Sequence, residues 1–244
     1  MKGVEQSQRV MTAETEQRKS EFRIEADMAG PVMRWMSLQG LDVKSEFLLP
    51  WGVCDLVGIK FDRAKTRQRL AYGQTRPIGS FVRLLILSKI PDFETGRSIS
   101  VARLSKQLGG TLDRDLLLRE IDVLTRANFV KSSKRGSVQK LNGWVPIHTK
   151  LVAVELKLAR VSEAVCQAVS NLQFATQSYV ALPMKRALTV ADGKIADVFI
   201  RNGIGLLGVS VRSCREVIWP QTAAGQNVLI QMHAAERFWR TRGN

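Results

Sequence analysis

The sequence has no apolar run near the roughly 18 residues that a membrane-spanning helix needs. Its longest candidates, 81–87 and 151–154, are broken by charge or short. The first residues carry no apolar stretch of the signal-peptide kind, and 1–19 reads as a disordered tail without hydrophobic periodicity. Cysteine is scarce. Cys54, Cys166 and Cys214 are widely spaced and odd in number. That argues against a disulfide framework or a cysteine-based zinc site and fits a reducing, cytoplasmic setting. His148 and His233 have no Cys or His at ligand spacing and read as structural. Acidic side chains are the last shortage: 22 Asp and Glu face 37 Lys and Arg, for a net charge of +15. Such a balance favours a polyanionic partner, most often nucleic acid, over a membrane.

What remains is ordinary for a folded chain. Hydrophobic residues make up 45% of 244, enough for one large domain or two small ones. Helical spacing of Ile24, Met28, Val32, Trp35 and Met36 predicts a helix over 20–39, with Ser20 as N-cap and Gly40 as stop. Pro31 makes it kink or start late. Alternation then predicts strands over 41–49 and 53–61, with Leu41, Val43, Phe47 and Leu49 on one face of the first. Residues 62–76 are polar and basic. Three amphipathic helices follow, at 78–90, 101–108 and 112–127, and then a strand, a basic turn and a strand over 129–141. A strand over 150–158, a helix over 161–175 and a strand over 178–182 come next. A helix over 187–200, two strands near 203–211 and 216–219, and a helix over 227–240 complete the chain.

The strand at 150–158 carries the chemistry. Val152, Val154, Leu156 and Leu158 face one way, and Ala153, Glu155 and Lys157 the other, so Glu155 and Lys157 project together. Asp55 lies in the strand pair upstream, on the strand over 53–61. Two carboxylates and an ammonium at a sheet edge suit phosphodiester hydrolysis. That reaction uses a hard divalent cation to activate water and a nearby cation to offset developing charge.

With Asp55 on one strand and Glu155-Leu156-Lys157 on the next, the chain resembles the PD-(D/E)XK nuclease superfamily, and within it the resolvase-like and restriction-endonuclease-like members. The stretch VAVELKLARVSEAVCQAVSNLQFATQSYVALP carries most of the likeness. Cys54 stands where a proline usually precedes the aspartate. The resemblance implies an α/β fold with an αβββαβ core and a mixed central sheet. It implies Mg²⁺ or Mn²⁺ held by Asp55, Glu155 and the Leu156 carbonyl, with Lys157 catalytic. It also implies a supporting Gln167 and an acid on the first helix, Glu25, with Glu46 as alternative.

A separate segment, SISVARLSKQLGGTLDRDLLLREIDVLTRANFVKSSKRGSVQKL, resembles winged helix-turn-helix domains. With its flanks it carries thirteen basic residues against six acidic ones. It interrupts the strand-rich part, which divides the chain into a discontinuous core, 20–66 and 144–244, and an insertion, 67–143. Arg114 and Arg119 on its third helix, and Lys131, Lys134, Arg135 and Lys140 on its hairpin, are the expected DNA contacts.

The function expected is a metal-dependent DNA endonuclease acting on double-stranded or branched DNA. The alternatives are a non-catalytic DNA-binding regulator on the same scaffold and an RNA-processing protein. A homodimer is compatible, since cutting two strands takes two sites.

Overall fold

A computed structural model describes residues 22–49, 52–92, 95–141, 147–222 and 227–239. The expected tail, the Ser20 cap and the turn at Pro50 and Trp51 lie outside the described residues.

A 3₁₀ turn, Glu25–Met28, leads into α1 (Ala29–Leu38). Pro31 therefore sits in the first helical turn, where its missing N–H would have had no partner, and the helix starts late instead of kinking. β1 (Asp42–Leu49) and β2 (Gly52–Phe61) form an antiparallel pair. A helix not expected from the sequence follows: α2 (Arg63–Ala71), capped by the Asp62 carboxylate on the N–H groups of Ala64 and Lys65. Then come α3 (Phe81–Lys89), β3 (Ile99–Ser100), α4 (Val101–Gln107), α5 (Arg114–Arg126), β4 (Val130–Ser132) and β5 (Ser137–Lys140). The last part holds β6 (His148–Leu156), α6 (Val161–Asn171), β7 (Gln177–Pro183), α7 (Met184–Ala191), α8 (Ala196–Asn202), β8 (Gly205–Val209), β9 (Cys214–Ile218) and α9 (Val228–Glu236). The single helix expected over 187–200 is two helices, separated at 192–195.

The fold is α/β around a mixed six-stranded sheet of order β1-β2-β6-β7-β8-β9. β1, β2 and β6 run antiparallel, β6, β7 and β8 run parallel, and β9 returns antiparallel. One face is covered by the 3₁₀ turn and α1, whose Met28, Val32 and Met36 pack with Leu56, Val154, Leu156 and Tyr179. Gly58 allows that approach: a Cβ there would stand 2.6 Å from the Met36 side chain. The other face is covered by α6, α7, α8 and α9. β1 does not keep one face inward along its length. Leu41 and Val43 pack on the α1 side, and Phe47 and Leu49 on the opposite side. The reversal falls at Glu46, which adopts the left-handed conformation at φ 47°. No helix among the described residues is long and apolar enough to cross a membrane.

The segment between β2 and β6 builds its own apolar cluster from α3, α4, α5 and a three-stranded sheet of order β3-β5-β4. The cluster is not self-contained, because Met232 of α9 is buried in it. The expected boundary at residue 67 also falls inside α2. Arg69 of that helix is fully buried and donates to Glu236 of α9 at 2.9 Å and to the Arg76 carbonyl at 3.0 Å. Its guanidinium lies 4.1 Å from the Trp239 ring and 5.1 Å from that of Phe129. Glu236 also accepts the Ile78 N–H at 2.8 Å. The segment between β2 and β6 is thus held against α9 by a buried ion pair, beside the packing of Met232 and the bond from the Trp239 indole N–H to the Thr75 carbonyl.

Breaking that pair leaves a buried charge uncompensated. Glu236→Ala should destabilise the protein by about 3–5 kcal/mol in denaturant unfolding. The double substitution Arg69→Met with Glu236→Met should recover much of that loss. A double variant as unstable as the single one would show that the pair contributes more than mutual neutralisation.

Candidate active site at the end of the central sheet

The pairing of β2 with β6 starts at Leu56 and Val154. β6 continues past it, and Glu155 and Leu156 keep pairing with β7 at Val180 and Ala181. The Leu156 N–H has no β2 backbone acceptor there. Asp55 supplies one, its Oδ2 accepting that N–H at 2.7 Å. The β1–β2 ladder is irregular at the same level: Ser45 pairs Leu56 and Phe47 pairs Cys54, with no pair at Asp55. The skipped partner is Glu46, the residue with positive φ. Glu46 belongs to this irregularity and makes no hydrogen bond or ion pair to the site among the described residues.

Glu155 is 2% exposed. Asn171 Nδ2 donates to its Oε1 at 2.7 Å and lies 3.5 Å from the Cys54 sulfur. Burial pushes the Glu155 carboxyl up to about 7. The Asn171 bond opposes the shift, the Asp55 charge adds to it, and Lys157 works against it. The Cys54 thiol is held well above its ordinary range, first by burial and then by Glu155.

Lys157 follows β6 directly and is also buried. Its Nζ lies 3.4 Å from Glu25 Oε2, while Glu25 Oε1 accepts the Leu158 N–H at 3.2 Å. The 3₁₀ turn before α1 therefore delivers an acid to the end of β6. Asp55 and Lys157 both lie close enough to Glu155 to act on its charge, and Glu25 joins them through Lys157. Leu156 lies between Glu155 and Lys157 in sequence, its side chain packed on the α1 side. Gln167 of α6 lines a cavity of about 280 Å³ together with Glu155, Asn171, Gly52 and Val53. Its Oε1 is buried and has no hydrogen-bond partner among the described residues.

No group of three or more His, Cys, Asp and Glu side chains placed to hold a metal exists among the described residues. The donors present are two carboxylates, a buried amide oxygen without a partner, and main-chain carbonyls. Such an all-oxygen set fits Mg²⁺, which keeps several waters and takes one or two protein carboxylates.

Asn171 was not expected from the sequence. It stands four residues after Gln167 and so shares its helix face, which is the one signal that pointed to it. On the inserted segment, Arg114 and Arg119 are exposed on α5, and Lys131, Lys134 and Arg135 are exposed on β4 and the turn after it. Lys140 is not. It is 4% exposed and its Nζ contacts Asp92 at 2.8 Å, because it shares the inward face of β5 with Val138. It leaves the set of candidate DNA contacts.

A folded-state carboxyl raised to about 7 binds its proton more tightly than the unfolded one, whose ordinary value is 4.5. The stability this gives is complete below about 4.5 and is lost as pH rises through about 7. In metal-free buffer the melting temperature of the wild type should therefore fall between pH 5 and 7.5 relative to Glu155→Gln. Parallel curves for the two proteins would place the raised carboxyl elsewhere.

No family model matches the chain, and neither do the curated proteins or the solved structures with which it was compared.

Proposed function

We propose that this chain is a metal-dependent nuclease that hydrolyses phosphodiester bonds in DNA. The observation that carries this is the convergence at one sheet end of Asp55 and Glu155, on adjacent strands, with Lys157 and Glu25. The element order supports it: α1, β1, β2, β6, α6 and β7, with three antiparallel strands and a fourth parallel, follows the αβββαβ arrangement of PD-(D/E)XK nucleases. The inserted segment, with three helices and a β4–β5 hairpin whose turn is basic, supports a winged-helix reading.

In this reading Asp55, Glu155 and the Leu156 carbonyl hold Mg²⁺ or Mn²⁺, and Gln167 steadies its shell. The bound cation would activate water and offset charge on the phosphoryl group. The residues set its place. Asn171 fixes the Glu155 carboxylate, and the Leu156 N–H fixes that of Asp55. Glu25 holds Lys157 at the strand end, where its ammonium can stabilise the extra negative charge that water attack places on the phosphoryl oxygens. Arg114 and Arg119 would approach the groove, and Lys131, Lys134 and Arg135 the phosphates.

Cleavage of plasmid, branched and single-stranded DNA and of RNA, with Mg²⁺, Mn²⁺ or EDTA, tests the reading. Asp55→Asn and Glu155→Gln should each lower single-turnover cleavage at least about 100-fold while the protein stays folded. Lys157→Ala should lower the chemical step about 10²–10³-fold with little loss of DNA affinity. Wild-type rates in either carboxylate variant would move the site elsewhere. Binding without cleavage on any substrate would leave a non-catalytic DNA-binding protein, and cleavage confined to RNA would change the substrate.

A further inference from the structure

The end of the sheet that holds Asp55 and Glu155 continues sideways along β7 and β8. Leu156, Ala181 and Leu207 lie in one transverse row, and Pro183 is level with Val209. All three parallel strands therefore finish at the same edge. Lys185 and Arg186 are the second and third residues after β7, and Arg212 lies in the turn after β8. All three side chains are exposed. Among the described residues none of the three meets a carboxylate within ion-pair distance. The acids bordering this edge are engaged: Glu25 with Lys157, Glu163 with Arg160 at 2.8 Å, and Glu216 with the Tyr179 hydroxyl at 2.6 Å. Lys185 and Arg186 also stand in the first turn of α7, which contains no acid, although the helix dipole disfavours cations there. This edge thus concentrates positive charge that the protein itself does not neutralise.

We propose that Lys185, Arg186 and Arg212 hold the phosphates of the nucleic acid beside the reacting phosphodiester, on the β7–β8 side of the site. The inference rests on the nuclease reading for what happens at Asp55 and Glu155, and on geometry for the rest. Neighbouring strands are about 4.8 Å apart, so the row extends about 10 Å from β6. That matches about three nucleotide rises of 3.4 Å. The inserted segment fastens to the other half of the sheet, through α9 against β1, β2 and β6. Nucleic acid held by both would pass through the site with chain on either side. The bond cut is then an internal one, and the protein needs substrate on both flanks.

The test uses the full chain in EDTA, so that binding is read without cleavage. Anisotropy of a labelled 30-bp duplex would be followed across a salt series. It would be measured for the wild type, for Lys185→Gln/Arg186→Gln/Arg212→Gln, and for Lys131→Gln/Lys134→Gln/Arg135→Gln. Each lost phosphate contact lowers the steepness of log K against log salt by about 0.9. The row variant should flatten the slope by about 2–3 and weaken binding about tenfold or more at low salt. Combining both triples should add their slope changes, since they meet different phosphates. Melting temperatures near wild type confirm folding, as all six side chains are exposed. A row variant with the wild-type slope overturns the proposal, and so does a wild type that binds no duplex at low salt. A flattened slope in EDTA, with no cleavage of any substrate once Mg²⁺ or Mn²⁺ is supplied, supports the row and removes the nuclease reading. Cleavage with an unchanged slope keeps that reading and removes the row.

Discussion

The N–H of Leu156 is the point on which the candidate site at the end of the sheet depends. β6 outruns its pairing with β2, and a strand donor left there without an acceptor would cost about 1–3 kcal/mol. The Asp55 carboxylate takes the place of the missing carbonyl. Glu25 does the same one step on, at the Leu158 N–H. Two acids thus complete the backbone hydrogen bonding of a frayed strand end, and in doing so they are fixed in position beside Glu155 and Lys157. Folding and site assembly make the same demand of these side chains.

The charge distribution divides the molecule. A chain of +15 gathers acids where the sheet ends, and buries one of them, Glu155, enough to raise its carboxyl to about 7. The exposed cations lie elsewhere: on α5, on β4 and the turn after it, in the first turn of α7 and in the turn after β8. A hard cation complements the acidic point, and a phosphate backbone complements the exposed cations. In the proposed function these are the two partners of a single reaction.

Much of this was legible from residue patterns, for definable reasons. β6 announces itself because its side chains on the α1 side are all large and apolar, while Glu155 interrupts the other face and Lys157 follows two residues on, just past the strand. Glu25 was legible only through resemblance, since one acid in a first turn looks like an ordinary dipole contact. α2 escaped because its sequence, RAKTRQRLA, has no apolar stripe, and its buried contact is a guanidinium on Trp239 and Phe129. Hydrophobic periodicity cannot register a helix that packs through arginine. β1 misled for another reason: alternation predicts one inward face, and the left-handed backbone at Glu46 exchanges the faces midway. Lys140 was read as surface from its charge, whereas its position two residues from buried Val138 sets it inward.

The site of the insertion has a consequence for how the chain reaches its native state. Phe61 pairs with His148, so all of 62–147 lies between two hydrogen-bonded neighbours. Closing so long a loop carries an entropic cost that grows only as the logarithm of its length, yet it must be met before any β2–β6 contact rewards it. Local packing of α3, α4, α5 and their small sheet shortens the effective loop, although the cluster is completed only when Met232 of α9 enters it. The segment that the proposed function assigns to DNA would then act first as a folding clamp, bringing the strand of Asp55 to the strand of Glu155.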